Sequence, residues 1–247
     1  MEVHHHSHSS RKKWTHYFWE FLMLFLAVFC GFLAENQREH MVEHKREKEF
    51  MRSMLDDLYK DKDAISIWLN KLELNQKNID SAIKLYVSLK SLTAVNIVEI
   101  GSAGSNGLTN IGIVFTDRTT SQLKNSGGMR LIRNKTVADS LTEYWNKIDE
   151  FRLLQVRVES YRLDGRKTGL KIFGSLPGSY IHKFIDSAFS INSPDVLNNS
   201  PLLLGEYINY LEIIGETYRN QYHSLLKKLS GLAKNLIDII KKEYHLK

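Results

Sequence analysis

Two ionisable side chains, His16 and Glu20, interrupt an otherwise apolar run, WTHYFWEFLMLFLAVFCGFLA, from Trp14 to Ala34. Four residues apart, they share one face of a helix. A carboxyl in hydrocarbon is costly, so it faces a partner helix or water, or takes up a proton. The pair is therefore a candidate proton or ion relay, or a polar contact to another membrane subunit. The plainer reading is a carboxyl that reaches for the interface beside Trp14, Tyr17 and Trp19. A second cluster, His4, His5, His6 and His8, offers imidazoles that suit a transition metal. A polar tail or an affinity-tag remnant has the same composition, and these readings stand ahead of a metal site.

Other spacings suggest chemistry and then fail a specific requirement. Ser81-x-x-Lys84 and Lys167-Thr168-Gly169 echo two motifs of penicillin-binding proteins. They lie too close together, and no Ser-x-Asn stands between them; Ser224-Leu-Leu-Lys227 repeats the first pattern by chance. The run GSAGSNGLTNIG from Gly101 has the glycines of a phosphate loop but no Gly-Lys-Ser/Thr. His182 and Asp186 have the spacing of an acid–base pair or part of a metal site, and equally of a surface helix pair. His223 and His245 lack nearby cysteines or paired acids. Tyr207, Tyr210, Tyr218 and Tyr222 read as packing aromatics. No catalytic residue and no cofactor is expected.

The apolar run decides how the remaining residues are positioned. Its 21 residues, at about 1.5 Å each, span roughly the 30 Å of a bilayer's hydrocarbon core. A cleaved signal peptide would need a small residue where Phe32 stands, and a lipoprotein would need small residues before Cys30. A buried core helix seldom runs this long with so few polar breaks. The expectation is an uncleaved signal anchor. Arg11, Lys12 and Lys13 on its N-terminal side favour a cytoplasmic N-terminus, although Arg38, Lys45, Arg46 and Lys48 follow the other end. In a bacterium that orientation places residues 35–247 in the periplasm of the inner membrane. Ala27 and Gly31 have a small-xxx-small spacing that permits close helix packing.

The chain has 247 residues, 43% hydrophobic and 25% charged, as expected of a folded protein. Its net charge of +6 is spread out, with no block of five like charges. That pattern argues against nucleic acid as a partner. The single cysteine lies in the apolar run, so no disulfide forms within the chain.

Residues 35–92 contain neither Gly nor Pro and are rich in Glu, Lys, Leu and Met. The first turns, 35–50, are charged nearly all round and read as a solvated helical stalk. A heptad-like stripe follows: Met51, Leu55, Leu58, Lys62, Ile65, Leu69, Leu72, Gln76, Ile79, Ile83 and Tyr86. Lys62 and Gln76 interrupt it, which argues against a simple two-stranded coil. Trp68, Ala82 and Leu89 widen the apolar face, as in a helix packed in a bundle. Residues 93–133 form a Gly-rich connection. The β-branched runs NIVEI and IGIVF predict a small hairpin or an ordered loop. Asp117 or Thr119 can cap a short helix that Gly127-Gly128 ends, and Asn134 can cap the next.

The opening MEVHHHSH, then KKWTHYFWEFLMLFLAVFCGFLAENQREH and HKREKEFMRSMLDDL, resembles uncharacterised single-span membrane proteins of Bacteroidota. The segment SQLKNSGGMRLIRNKTVADSLTEYWNKID is similar to the Leu-Lys-x-Ser-Gly-x-x-x-Leu-Ile-x-Asn stretch of that group. The resemblance covers mainly residues 1–60 and 118–150. It implies native histidines, an anchor helix and a bacterial source, and brings no activity with it.

Lys135 to about Lys171 reads as helical, with Gly165 and Gly169 as candidate interruptions. Residues 174–201 hold all three prolines and form the main irregular connection, with YIHKFIDSAF a short helix inside it. From Pro201, suited to a first turn, a long helix runs to Tyr244 with the stripe Leu204, Ile208, Leu211, Gly215, Tyr218, Tyr222, Leu225, Leu229, Leu232, Leu236 and Ile239. The expected fold is mainly α. An N-terminal transmembrane helix continues into an elongated antiparallel helical bundle, residues 51–247, with a small irregular or β-containing insertion.

These features predict a non-enzymatic, single-span scaffold or accessory subunit acting through its helical ectodomain. Its partners would be the lipid bilayer and either further copies of itself or another membrane protein. One alternative is an ion-coupled subunit of a multi-chain membrane complex that uses Glu20. Another is a ligand-sensing ectodomain that signals through a partner.

Overall fold

The computed structural model describes residues 14–89, 91, 93–110, 112–174 and 200–246. The histidines at 4, 5, 6 and 8, the pair His182 and Asp186, and the helix expected over 180–189 lie outside the described residues. The chain divides into two units, Met1–Phe50 and Met51–Lys247.

Helix α1 runs from Trp14 to Ser88. Its first 21 residues hold no helix breaker except Gly31, and none of them is buried. This is a helix long and apolar enough to cross a membrane. Phe21, Phe25 and Phe29 stack along one face with ring centroids 6.3 and 5.9 Å apart. That is the i,i+4 neighbour relation of an α-helix.

In the second unit every described element is helical or irregular, and no strand occurs among the described residues. Helix α2 covers Ala94–Gly107, so the run NIVEI is helical where a hairpin or loop was expected. The Thr93 hydroxyl caps it by accepting from the Asn96 amide at 3.3 Å. Packing outweighs propensity here. Gly101, Gly104 and Gly107 recur every third residue, and each is closely approached by another helix. A Cβ at 101 would strike the Phe173 ring, one at 104 the Tyr207 and Leu211 side chains, and one at 107 the Ile79 side chain and the α1 backbone. Residues 112–117 run without regular structure into helix α3, Arg118–Asn125. Gly127, at φ +66, makes the left-handed turn into a short 3-10 segment, Gly128–Leu131.

Helix α4, Lys135–Phe173, is capped by the Asn134 side chain, which accepts from the Val137 amide at 3.1 Å. Neither Gly165 nor Gly169 interrupts it. Gly165 is buried where a Cβ would come within 3.2 Å of Tyr210. Helix α5, Pro201–Thr217, carries Pro201 in its first turn. A π-helical turn, Tyr218–Tyr222, joins it to helix α6, His223–Tyr244. Helix α4 packs against both α5 and α6. The core between them includes edge-to-face contacts of Phe115 with Phe151, Phe151 with Tyr222, and Tyr218 with Tyr222, at 5.8, 4.9 and 5.4 Å.

Of the anticipated stripe, Leu55, Leu58, Ile65, Leu72, Ile79, Ile208, Leu211, Tyr218, Leu229 and Leu236 are buried. Leu69 and Leu225 are half-buried. The face of α1 that is sealed in this unit differs at alternate positions. Met54, Asp61, Asn75 and Ala82 are buried, whereas Lys62 is exposed and Gln76 and Ile83 are only partly covered.

Candidate functional site

Three places combine polar chemistry with a fixed geometry. The first is the pair in the apolar stretch. His16 Nε2 lies 3.0 Å from Glu20 Oε1, with both side chains about half exposed on the helix surface. A Cβ added at Gly31 would meet nothing within 4 Å.

The second is a buried polar network built on α1. Asp57 and Asp61 are one helical turn apart and both buried. Asp57 Oδ2 accepts from the Thr119 amide at 3.1 Å and from the Thr119 hydroxyl, and Asp57 Oδ1 lies 3.4 Å from Arg118 Nη2. Arg118 also donates to Ser53 Oγ at 2.9 Å. Asp61 accepts from the Thr116 amide at 2.7 Å and the Tyr144 hydroxyl at 2.8 Å. Burial pushes the Asp61 carboxyl above its ordinary range. The bonds from Thr116 and Tyr144 oppose that rise, and the charge of Asp57 adds to it. Burial, and then the Asp61 charge, raise the Tyr144 phenol, so it stays a donor. Each acid holds one end of the 116–119 segment against α1, so the network fastens the entry to α3. Further along α1, Asn75 donates to the Thr109 carbonyl at 3.0 Å and accepts from the Thr109 hydroxyl at 2.9 Å, doing the same for the end of α2.

The third place lies beside the π-turn. Tyr218 and Tyr222 project from it toward Glu159 and Arg162 of α4, and the four line a pocket of about 310 Å³ together with Gln155 and Asn110. Arg162 is nearly buried and largely committed. Its Nε and Nη2 grip the two Glu159 oxygens at 2.6 and 2.5 Å, and Nη1 donates to the Leu108 carbonyl at 3.1 Å. Gln155 Oε1 and the Tyr218 hydroxyl lack a well-aligned hydrogen bond, and both are sealed from solvent, so neither opens onto the pocket. Tyr218 lies near the Asn75 carboxamide, whose own bonds go to Thr109, and forms no well-aligned bond with it. Burial raises the phenols of Tyr218 and Tyr222, so both are neutral hydroxyls. Tyr218 also lines a second cavity of about 300 Å³, with Gln76 and His223.

The remaining sequence candidates are not brought together. Ser81 Oγ donates to the Lys77 carbonyl of its own helix, and Lys84 is exposed. Lys167 pairs with Asp164, and Thr168 donates to Glu206. His245 is the left-handed residue after α6. Among the described residues no three of His, Cys, Asp and Glu form a metal-binding group. Sequence reasoning missed Asp57, Asp61, Tyr144, Gln155 and Arg162 as polar partners, and read Thr119 as a possible cap where it lies inside α3 and is itself bonded by Asp57. For the two acids the available signal was their spacing with Met54, Leu58 and Ile65 on one face. No family model, curated protein or solved structure matches the chain.

Proposed function

We propose that this is a single-span membrane protein that acts without catalysis, as a scaffold or accessory subunit working through a helical-bundle ectodomain. The observation that carries this reading is the stretch 14–34. Trp14, Tyr17, Phe18, Trp19, Phe21, Leu24, Phe25 and Phe29 are all exposed on one helix, with none of the stretch covered by the chain. A run of large exposed apolar side chains this long requires lipid or another apolar surface around it. Its length matches hydrocarbon thickness. The basic residues 11–13 support an N-terminus in the cytoplasm and an ectodomain in the bacterial periplasm. The resemblance of residues 1–60 to single-span proteins of Bacteroidota supports the same arrangement.

The buried polar groups of the second unit serve its own packing. Asp57, Asp61 and Asn75 spend their bonds on segments of their own chain. The reading is tested by extracting the full chain from its own membrane in mild detergent. The expected result is resistance to alkaline extraction and a native mass above one chain, made up of further copies or of a stoichiometric membrane partner. A protein released by alkaline wash, or a lone monomer in every mild detergent, would contradict it.

A further inference from the structure

A separate cleft opens between α4 and the π-turn with the start of α6, and its polar groups face solvent. It has a volume of about 530 Å³, within the range of small-molecule sites, and is open along one side. Arg157 of α4 stands exposed in it and makes no ion pair among the described residues. Its Nη2 donates to the side-chain oxygen of Gln221 in the π-turn. That bond holds the guanidinium in place and leaves its other N–H groups to donate elsewhere. It also spends the acceptor of Gln221, so the Gln221 NH₂ remains as a donor. Asn220 and Ser224 line the same stretch with an exposed amide and an exposed hydroxyl. The π-turn carries Asn220 and Gln221, and such turns recur at functional sites. A planar guanidinium flanked by amide and hydroxyl donors is the complement of a carboxylate. Further along the cleft Lys147 is matched by Glu150, whereas Lys228 has no acidic partner among the described residues. The cations of the cleft therefore outnumber its one acid. Leu153, one helical turn before Arg157, is 75% exposed, and Leu225 adjoins it in the lining. The complement of the whole is an anionic group joined to an apolar body.

We propose that this cleft binds a small organic anion, with its carboxylate seated on Arg157 and the donors of 220–224 and its apolar body on Leu153 and Leu225. The inference goes beyond the membrane-scaffold reading and does not depend on it, because every group involved lies within the second unit. The test uses the full chain in nanodiscs of zwitterionic lipid at one low ionic strength, since salt screens exposed charges. The probes are hexanoate, benzoate and phenylacetate, each beside its own uncharged amide, with acetate and inorganic phosphate as anions that lack an apolar body. At least one of the three organic carboxylates is expected to bind saturably by calorimetry and to raise the melting temperature. Its amide, acetate and phosphate should each bind at least about tenfold more weakly. Arg157→Gln should weaken binding about tenfold or more, and Leu153→Asn about threefold or more. Both side chains are exposed, so the unliganded variants should melt as the native protein does. Lys234→Gln removes an exposed cation of α6 outside the cleft and should leave binding unmoved. The proposal is overturned if none of the organic carboxylates binds, or if the amide or phosphate binds as tightly as the best of them. It is also overturned if Arg157→Gln binds as the native protein does, or if Lys234→Gln weakens binding as much as Arg157→Gln, since net charge alone would then account for it. None of these readouts reports on membrane insertion, so a failure here leaves the scaffold reading to its own test.

Discussion

The carboxylate of Asp57 caps a helix to which it does not belong. Its Oδ2 sits 3.1 Å from the backbone amide of Thr119, in the first turn of α3, 62 residues further along the chain. Asp117, the residue at the local cap position, makes no side-chain capping bond. A buried acceptor that satisfies an amide, a hydroxyl and part of a guanidinium stabilises far more than a surface cap does. Asp57→Ala is expected to destabilise the fold by about 2–4 kcal/mol, because it strips the Thr119 amide and hydroxyl of their buried partner. Thermal melts by circular dichroism, together with hydrogen exchange at residue 119, would check this. A melt unchanged from the native protein would show that water replaces the carboxylate at no cost.

Asp61 gives a pH signature of definite sign. Burial lifts its folded-state pKa above the unfolded value of about 3.9. Its contribution is therefore fully present below about pH 4 and is lost as pH rises through the folded-state pKa. An asparagine keeps one acceptor for the Thr116 amide and can donate its NH₂ to the Tyr144 hydroxyl, without the buried charge. The melting temperature of Asp61→Asn relative to the native protein should therefore climb between about pH 4 and pH 7. A constant offset across that range would mean that the carboxyl titrates no differently when folded.

The long helices α1, α4 and the Pro201–Tyr244 stretch were legible because their apolar spacing is strong and their breakers are few. What was not legible is which alternate residue faces inward. On α1, Leu55, Lys62, Leu69, Gln76 and Ile83 complete a heptad with Leu58, Ile65, Leu72 and Ile79, but so do Met54, Asp61, Trp68, Asn75 and Ala82. Hydropathy favours the first set. The structure seals polar Asp61 and Asn75 of the second set, because distant backbone groups at Thr116 and Thr109 need acceptors and donors there. On the last stretch the π-turn shifts the same choice. Tyr218, Tyr222 and Leu226 follow at steps of four, so Leu226, Ala233 and Ile240 are buried where Leu225, Leu232 and Ile239 fitted a regular repeat. Helix α2 was illegible for the opposite reason. Its glycines lower helix propensity by roughly 1 kcal/mol each and signal a loop, yet they are there so that neighbouring helices can approach.

Gly107 is the most constrained of those glycines, because two of the atoms its Cβ would meet are backbone, Ile79 N at 3.1 Å and Asn75 O at 3.2 Å. Alanine gains about 1 kcal/mol in helix propensity but forces α1 and α2 apart, a strain of typically 1–3 kcal/mol. Gly107→Ala is expected to lower the melting temperature. Gly31→Ala, with open space around it, should leave the fold unit's melt unchanged. If Ala27 and Gly31 form a close contact between copies, Gly31→Ile should reduce the oligomer in mild detergent without changing the helical content. Equal native masses for Gly31→Ile and the native protein would exclude that contact.

The single cysteine makes the membrane arrangement directly measurable. Cys30 is exposed on the helix surface inside the apolar stretch, so in hydrocarbon its thiol meets lipid and no water. A membrane-impermeant maleimide should leave the native protein unlabelled in intact cells, because the reagent does not enter hydrocarbon. Ser160 is exposed on α4. The double variant Cys30→Ser, Ser160→Cys should then react in cells whose outer membrane alone is permeabilised, if the ectodomain is periplasmic. Labelling only after the inner membrane is also opened would reverse the orientation that residues 11–13 favour. Labelling of native Cys30 in intact cells would remove the stretch from the bilayer altogether, and with it the membrane anchor.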